Sequence, residues 1–364
     1  MSVLKTLISV FLIVIISNIW ASPYPIPSIT PVSSDKQTNV KLVAHNLNVP
    51  WDMAFIHNQQ ALLTERSGKV SLLDLSQQPP KLTTIKHINS VKAVGEGGLL
   101  GIAIDPQFDK NHWVYCYYTV GHRGHYSNRV VRYQYTQHTL KHPKVLLKDI
   151  PGARIHDGGR LRFGPDNKLY ITTGDANDQR LAQDKNSLGG KILRINRDGG
   201  IPKDNPYPHS PVYSYGHRNP QGLAWDHQGR LWSTEHGSYA HDEINLINKG
   251  NNYGWPVIQG NESQSGMQTP IKQSGRETWA PSSAMIDQGY LFFTGLRSRQ
   301  LYRFNLKKHK LKEQFKNRLG RLRNIVQGPR GQYCYLLTSN RDGRGSPSDL
   351  DDRILQLKCS SLLS

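Results

Sequence analysis

The segment RLRFGPDNKLYITTGD, residues 160–175, contains the unit on which the fold depends. Its two β-rich runs, RLRF and LYITT, flank a GPDNK sequence whose residue types are typical of a tight turn between antiparallel strands. A third β-rich run, residues 191–195, follows after a loop. The segment therefore predicts a meander of three antiparallel strands, with Asp175 at the end of the second.

The same unit occurs six times along the chain. Its first runs cover residues 51–55, 98–105, 160–163, 222–225, 281–285 and 322–326, its second runs 61–65, 113–119, 169–175, 231–235, 290–294 and 333–338, and its third runs 68–73, 129–133, 191–195, 243–247, 301–304 and 353–357. Such sheets repeated radially form a β-propeller. The alternative, two β-sandwiches, lacks a dividing linker. We predict an all-β, six-bladed β-propeller of mostly four-stranded antiparallel blades over residues 42–359, followed by a tail at 360–364.

The composition excludes several classes of protein. The 32 Gly and 21 Pro of the 364 residues are spread along the chain, which excludes a collagen-like repeat, and 17 Tyr, 8 Phe and 7 Trp argue against disorder. The formal net charge is +19, but Lys and Arg are scattered apart from a run at 307–310. A nucleic-acid partner is therefore not expected. The charge would be solvated surface, useful near anionic membranes or envelope polymers.

The amino-terminal residues have the features of an export signal. Lys5 precedes an apolar run at 7–16, and the small residues Ala21 and Ser22 offer a cleavage point. A membrane anchor is the alternative, but the run is shorter than the roughly 20 residues that a span needs. We predict a signal peptide at 1–21, a Pro/Ser-rich lead at 22–41, and a periplasmic or secreted protein.

Export would also permit a disulfide. Cys334 and Cys359 lie in or directly after strand-like runs, 333–336 and 354–358. If those strands pair, a bridge between the two cysteines becomes feasible, and otherwise both remain thiols. Cys116, in the apolar run WVYCY, has the surroundings of a small buried hydrophobic residue.

The predicted propeller brings its unusual residues to one face. In an antiparallel sheet, the start of the first strand and the end of the second lie at the same edge. The residues at these positions are Glu96, His156, Arg218, Asn219 and Arg321 before first strands, and Asp175, the loop 235–238 and Arg297 after second strands. We therefore expect these residues to converge around the central axis.

Their side chains indicate acid–base chemistry and an anionic ligand. His156 could act as a general base oriented by Asp175, although a lone His is more often structural and a strand-end Asp more often forms a turn. Arg321 and Arg323 alternate on one strand and face the same side. Together with Arg297 they indicate a ligand with several carboxylates or phosphates. The alternative, arginines that close the channel with acidic partners, is disfavoured because few acids accompany them.

Five phrases, taken in number, order and spacing, resemble a known family. They are GGLLG (97–101), the segment 156–175, GHRNPQG (216–222), DEINL (242–246) and GNNYGWP (250–256). The family that these phrases resemble is that of the soluble, pyrroloquinoline-quinone (PQQ)-dependent sugar dehydrogenases, the glucose/sorbosone dehydrogenase family of six-bladed propellers. The resemblance extends over about residues 43–357, essentially the whole predicted domain.

The resemblance implies a quinoprotein oxidoreductase that oxidises aldose sugars at C1 to the lactone by hydride transfer to PQQ. At the matching positions, His156 would take the proton from the anomeric hydroxyl and Asp175 would support it. Arg218 would stabilise the negative charge that grows on the quinone oxygen. An Arg that only holds loop carbonyls is the alternative for Arg218.

The resemblance also implies the binding residues. PQQ would contact Glu96, His156, Arg218, Asn219, Arg297, Arg321 and Arg323, and Ca²⁺ would bind the backbone carbonyls of Gly237 and Ser238, with the Asp242-Glu243 pair bracing that loop. This chain departs from the glucose-oxidising pattern in having Glu96 for Gln, Ile155 for Asp, Arg297 for Lys and Ser238 for Pro. These departures leave the cofactor site credible and favour broad aldose specificity over glucose preference.

Two other classes of protein share the fold. One is a non-catalytic propeller binding module of the hedgehog-interacting type, which the combination of His156, Arg218 and the three arginines argues against. The other is a calcium-dependent lactonase, which would need a ring of carboxylate and amide side chains. The remaining partner expected is an electron acceptor, a cytochrome or a quinone, and the resemblance is compatible with a homodimer.

Overall fold

The computed structural model describes residues 40–364, which form twenty-four β-strands and three short helical segments. The predicted signal peptide and residues 22–39 of the lead lie outside the described residues. The first strand, β1, begins at Lys41, and residues Cys359–Leu362 form a 3₁₀ turn whose Leu362 is buried. Within residues 40–364, none of the helices has the length and apolarity needed to cross a membrane.

The strands form six four-stranded antiparallel sheets, as the repeat predicts. The first three sheets contain β2 (Pro50–His57), β3 (Gln60–Glu65), β4 (Lys69–Asp74) and β5 (Lys81–His87); β6 (Leu99–Ile104), β7 (Trp113–His122), β8 (His125–Thr136) and β9 (Thr139–Gly152); and β10 (Leu161–Phe163), β11 (Leu169–Thr173), β12 (Lys191–Ile195) and β13 (Val212–Tyr215). The helices α1 (Phe108–Asn111) and α2 (Arg180–Gln183) lie in loops of the second and third sheets.

The other three sheets complete the ring. They contain β14 (Pro220–Trp225), β15 (Leu231–Glu235), β16 (Glu243–Ile247) and β17 (Lys272–Gln273); β18 (Pro281–Asp287), β19 (Tyr290–Gly295), β20 (Gln300–Asn305) and β21 (Leu311–Gln314); and β22 (Leu322–Gln327), β23 (Tyr333–Thr338), β24 (Ile354–Lys358) and β1 (Lys41–Ala44). The sixth sheet therefore joins the amino-terminal strand to the last three strands, with Lys41 opposite Gln356. This pairing closes the ring, because β1 covers the outer edge of β24 in the last sheet.

The first strands of the sheets surround the central axis. Each packs against the next in the order β2, β6, β10, β14, β18, β22, and β22 packs against β2. Apolar side chains from neighbouring sheets interdigitate to form the core, for example Trp51, Tyr115 and Leu161 in one cluster and Trp232, Phe293 and Tyr302 in another. The structure is thus a six-bladed β-propeller.

A buried polar cluster joins three of the first strands, β2, β10 and β22. The Asp52 carboxylate accepts hydrogen bonds from Arg162 at 2.9 Å and from Asn324 Nδ2 at 2.6 Å, and lies 2.9 Å from Nη1 of Arg160. Burial alone would raise the pKa of Asp52, but the two guanidinium groups hold it below its usual value. An apolar cavity of about 240 Å³, lined by Met53, Ile102 and neighbouring side chains, lies on the face of the propeller where the first strands end.

The disulfide expected as one of two outcomes is present. Cys334 in β23 and Cys359 after β24 are bonded, and both are buried in the core of the sixth sheet. The neighbouring positions of the two strands explain this, since Cys334 pairs with Leu357 across the sheet. Cys116 is a buried thiol, as predicted, and burial raises its pKa to about 12.

Candidate active site

A cavity of about 550 Å³ opens on the face where first strands begin and second strands end. Of the residues predicted to converge there, it is lined by His156, Asp175, Arg218, Gly237, Ser238 and Arg297. A narrower space beside it is lined by Glu96 and Arg323, and the imidazole of His236 borders both. Antiparallel sheet geometry therefore assembles the site as expected.

His156 is held at the cavity by its backbone and its ring. It precedes β10 in a left-handed conformation with φ of 63° and is buried. Gly158, also at positive φ, lets the chain pass close to β11, because a Cβ there would lie 2.6 Å from the carbonyl oxygen of Thr172. Nδ1 of His156 lies 2.7 Å from Oδ1 of Asp175. The fold thus fixes both the position and the orientation of the imidazole.

The partners of Asp175 determine which nitrogen of His156 is available for chemistry. Asp175 also accepts hydrogen bonds from Nε1 of Trp255 at 2.9 Å and from the backbone N–H of Asn177 at 2.9 Å. A carboxylate that accepts these bonds also accepts from Nδ1–H of His156. The Nε2 atom of the neutral ring then carries the lone pair. This arrangement suits a general base at the cavity.

Arg218 lies next to Asp175 and lines the same cavity. Its backbone N–H donates to Glu235, its carbonyl accepts from the N–H of Asp175 at 2.8 Å, and its guanidinium lies 5.3 Å from the ring centre of Trp255. The Nε atom of Arg218 is buried and has no hydrogen-bond partner among residues 40–364. Burial lowers the pKa of Arg218, an effect that Asp175 and Glu235 oppose. The site therefore holds a cation with unused donor capacity.

Glu96 links the two spaces. One carboxylate oxygen accepts from the backbone N–H of His156 at 2.9 Å, and the other from Arg344 at 2.7 Å. Burial raises the pKa of Glu96, but the N–H of His156 and the guanidinium of Arg344 bring it below its usual value. Glu96 is thus an ionised carboxylate that positions His156.

Asn219 lies behind His156 and does not line the large cavity. Its Oδ1 atom accepts from the backbone N–H of Gly158 at 3.0 Å. Its Nδ2 atom is buried without a hydrogen-bond partner in the described part of the chain. In this structure Asn219 stabilises the loop of His156.

The two arginines of β22 differ in their partners. Arg323 is buried, donates to Gln221 at 3.0 Å and to Ser282 at 3.2 Å, and lies 5.7 Å from the ring centre of Trp51. Its Nε atom has no partner within residues 40–364, and burial lowers its pKa to about 10. Arg323 therefore retains a donor for a ligand in the narrower space.

Arg321 forms a close ion pair with Asp342, whereas Nη2 of Arg323 lies 3.9 Å from Oδ2 of the same carboxylate. The Nη2 atom of Arg321 lies 2.7 Å from Oδ2 of Asp342, and both side chains are buried. The expectation that few acids accompany these arginines is therefore wrong for Arg321, whose charge is already compensated. Asp342 lies in the loop after β23, a second strand, so the rule that located Asp175 would also have located it.

The loop after β15 carries the predicted metal ligands. The N–H of Gly237 donates to Oδ1 of Asp242 at 2.9 Å, while Oδ2 of Asp242 accepts from the N–H groups of Trp279 and Ala280. Asp242 therefore braces the loop, as its sequence position suggested. Residues 40–364 contain no group of three or more His, Cys, Asp or Glu side chains that could hold a metal. A cation here would rely on backbone carbonyls and on ligand oxygens.

The sequence assigned no role to two residues of the site. Trp255 donates a hydrogen bond to Asp175, and its ring lies close to the guanidinium of Arg218. The feature of the sequence that could have indicated Trp255 is the GNNYGWP phrase. His236 lies between the two spaces, where burial lowers its pKa to about 3, and its Nε2 atom has no hydrogen-bond partner among the described residues. His236 is therefore a neutral imidazole, and its signal was its place directly after a second strand.

Arg297 differs from the other cations of the site in being exposed. It follows β19 at the rim of the cavity, and its guanidinium has no ion-pair partner within residues 40–364. The cavity thus has a positive rim as well as the positive wall formed by Arg218.

Comparison with known proteins agrees with these features. Residues 47–350 match the Glucose / Sorbosone dehydrogenase family. The chain is 40% identical to a PQQ-bound aldose sugar dehydrogenase from Streptomyces coelicolor, with a TM-score of 0.82 and coverage of 88% of this chain and 97% of that one.

Two curated relatives carry similar names. Aldose sugar dehydrogenase YliI of Escherichia coli is 29% identical and matches 91% of this chain and 95% of its own length. Quinoprotein glucose dehydrogenase B of Acinetobacter calcoaceticus is 35% identical over 66% of this chain and 57% of its own length. The chain belongs to the glucose/sorbosone dehydrogenase family of oxidoreductases.

Proposed function

We propose that this protein is an exported quinoprotein dehydrogenase that oxidises aldose sugars at C1 to the lactone, with PQQ as hydride acceptor and Ca²⁺ as a second cofactor. One observation carries the proposal. The carboxylate of Asp175 lies at Nδ1 of His156, which leaves Nε2 as the ring nitrogen available for chemistry in the cavity that Arg218 also lines.

The cavity suits an anionic cofactor of the size of PQQ. Its volume of about 550 Å³ falls within the roughly 300–1,000 Å³ of small-molecule and cofactor sites. Two buried donors, on Arg218 in this cavity and on Arg323 in the narrower space beside it, have no partner among residues 40–364. Unpaired buried donors are costly, and carboxylate or quinone oxygens would satisfy them. Arg218, Arg297 and Arg323 would hold PQQ, whereas Arg321 would contribute chiefly through Asp342.

The residues of the chain then divide the work of the oxidation. Bound PQQ would supply the electron-deficient carbon that accepts a hydride. Nε2 of His156 would accept the proton of the anomeric hydroxyl, and Asp175 would stabilise the imidazolium that results. The guanidinium of Arg218 would favour negative charge on a nearby oxygen as the reaction proceeds. Trp255 would keep both Asp175 and Arg218 in place.

The calcium part of the proposal rests on the loop around Gly237 and Ser238. Calcium prefers oxygen ligands, and carbonyls together with cofactor oxygens would provide them. Asp242 stabilises the loop, because its two carboxylate oxygens accept hydrogen bonds from the backbone N–H groups of Gly237 and Trp279. Ca²⁺ would act there as a Lewis acid on the cofactor.

The other two classes of protein have less support. A lactonase would need a ring of carboxylate and amide side chains around its metal, and the described residues contain no group of three or more His, Cys, Asp or Glu side chains that could supply its carboxylates. A binding module would not need the hydrogen-bonded chain from Trp255 through Asp175 to His156. The geometry therefore favours the dehydrogenase.

Two further parts of the proposal concern substrate and compartment. Ile155, half-buried before His156, has no polar atom with which to select one sugar, so we propose a range of aldoses as substrates. The Cys334–Cys359 disulfide supports export, because such bonds persist in oxidising compartments. The electron acceptor would be a cytochrome or a quinone, and a homodimer is the assembly we propose.

The test is reconstitution of the purified protein. Addition of PQQ and Ca²⁺ should give dye reduction with several aldoses, and omission of PQQ should abolish it. The Asp178→Asn variant, altered at a half-buried aspartate paired with Arg180 next to the site, should behave as the parent does. A protein that binds PQQ and Ca²⁺ but reduces no dye with any aldose would contradict the proposal.

A further inference from the structure

Two stretches of the first two sheets have a marked excess of positive charge. Residues 77–95 and 121–154 together contain ten Lys and Arg but a single acidic residue, Asp149. For comparison, the whole chain has 46 basic and 27 acidic residues. Three of these cations, Lys92, Arg123 and Arg154, come from the β5–β6, β7–β8 and β9–β10 loops.

All three loops lie on the face of the candidate active site. Strand β7 is a second strand and so ends on that face, where Arg123 and Gly124 connect it to β8. Tyr126 in β8 pairs with Gly152, so the tip of this hairpin extends past the end of β9, beside Arg154. The antiparallel order therefore brings Arg123 and Arg154 to one edge of the second sheet.

Backbone hydrogen bonds connect the loop of Lys92 to the same edge. The N–H of Lys92 donates to the carbonyl of Thr119 in β7 at 2.9 Å. The N–H of Glu96 donates to the carbonyl of Arg154 at 2.8 Å. We call Lys92, Arg123 and Arg154 the cationic arc.

The arc is available to a partner and borders the cavity. All three side chains are exposed, and none has an ion-pair or hydrogen-bond partner within residues 40–364. Arg154 stands two residues before His156, whose N–H binds Glu96. A partner on the arc would therefore sit at the His156 side of the cavity.

We propose that the cationic arc docks an acidic, one-electron redox protein that removes the electrons taken from the sugar. The proposal rests on the function proposed above. Oxidation of one aldose to its lactone releases two electrons and two protons. Two molecules of the oxidised carrier each accept one electron, and both protons pass to solvent.

The composition of the arc favours a protein over a lipid surface or a free quinone. The exposed large apolar side chains of the described residues are Leu42, Val145, Tyr239, Val257 and Leu350, and none lies in the three loops of the arc. A surface with charge but no apolar anchor suits a fast, salt-dependent encounter with an oppositely charged protein. A neutral quinone carries no net charge, so the cationic arc would not attract it electrostatically.

The test uses one carrier in two charge forms. Mitochondrial cytochrome c is basic, and succinylation of its lysines makes it acidic. The arc variant is Lys92→Glu/Arg123→Glu/Arg154→Glu. The matched control, Lys307→Glu/Lys308→Glu/Lys310→Glu, makes the same change of charge in the hairpin between β20 and β21, at the opposite face.

Binding is measured first, with the protein free of cofactor. At low salt the parent should bind succinylated cytochrome c, and raising the salt to about 0.2 M should weaken binding roughly tenfold or more. The arc variant should bind about tenfold more weakly than the parent, and the control within about twofold. Unmodified cytochrome c should not bind.

Kinetics of the reconstituted enzyme follow. The rate at which succinylated cytochrome c is reduced should fall in the arc variant and not in the control. The rate at which sugar reduces the bound cofactor should be the same in all three proteins. If sugar fails to reduce the cofactor in the parent, the proposed function is wrong, whereas the binding experiment still judges the arc.

Two results would overturn the proposal. One is equal loss of cytochrome binding in the arc variant and the control, since the effect would then be net charge alone. The other is arc-dependent sedimentation with phosphatidylglycerol vesicles together with unchanged cytochrome binding, which would identify the arc as a membrane-binding surface.

Discussion

Nδ1 of His156 lies 2.7 Å from Oδ1 of Asp175, and Nε1 of Trp255 donates to the other oxygen of the same carboxylate at 2.9 Å. His156 precedes the first strand of the third sheet, and Asp175 follows the second strand of that sheet. Trp255 belongs to a loop of the fourth sheet. The contact therefore joins two blades and sets the tautomer of the imidazole that faces the cavity.

The first prediction concerns Asp175. In Asp175→Asn the amide can donate to Nδ1 of His156, which would move the ring proton to Nε2 and remove the base. We expect turnover to fall by about 10²–10⁴, with little change in PQQ affinity. Steady-state dye reduction and PQQ titration measure the two effects. Asp178→Asn in the same loop is the control, and an Asp175→Asn enzyme with parental turnover would refute this role.

The second prediction separates the two arginines of β22. Arg323→Ala removes a buried donor facing the cofactor space, so PQQ affinity should fall about ten- to a hundredfold, corresponding to roughly 1.5–3 kcal/mol. PQQ titration of the cofactor-free variant measures this loss. Parental affinity in Arg323→Ala would remove it from the site.

The third prediction is that Arg321 contributes to stability through Asp342. Burial raises the pKa of Asp342, but Arg321 and Arg323 hold it below its usual value. Arg321→Ala would leave a buried carboxylate with a weaker partner, and the free energy of unfolding should fall by about 3 kcal/mol. Urea unfolding measures this, and the double variant Arg321→Ala/Asp342→Ala should recover part of the loss. A double variant less stable than Arg321→Ala would contradict the pairing.

The surroundings of Arg321 show which parts of the site could be predicted from the sequence and which could not. Alternation along β22 placed Arg321 and Arg323 on one side, and the antiparallel rule placed His156, Asp175 and Arg218 at one mouth. The antiparallel rule could have placed Asp342 on this face, but it could not identify Asp342 as the partner of Arg321, because the long irregular loop after β23 has no periodic pattern that fixes its side-chain contacts. The outer strands, such as β5 and β17, were also not located, since they are short or half-exposed and carry mixed polar residues.

The fourth prediction is a pH dependence of stability. Asp157 is buried, and burial raises its pKa to about 7, although Asn128 and the N–H of Ala153 donate to it. Between about pH 4 and 7 the folded state therefore holds a proton that the unfolded state has lost, so this group makes stability fall as pH rises. Asp157→Asn cannot titrate. The free energy of unfolding of Asp157→Asn minus that of the parent should be larger at pH 8 than at pH 4.5, by an amount on the order of 3 kcal/mol.

Urea unfolding of the cofactor-free proteins at the two pH values measures this difference. Asp149→Asn, at an exposed aspartate, is the control and should show the same pH dependence as the parent. An Asp157→Asn variant that follows the parent at both pH values would show that Asp157 is ionised in the folded protein.

The fifth measurement tests the central claim, that His156 is the base and Arg218 the electrostatic stabiliser. Single-turnover reduction of bound PQQ by an aldose is followed as a function of pH in the parent, His156→Gln and Arg218→Ala. Both variants should be slower, His156→Gln by about 10²–10⁴. Only His156→Gln should lose the acidic limb of the pH profile, because that limb reports protonation of the base. A His156→Gln enzyme that reduces PQQ at the parental rate with the same acidic limb would place the base elsewhere and contradict the account.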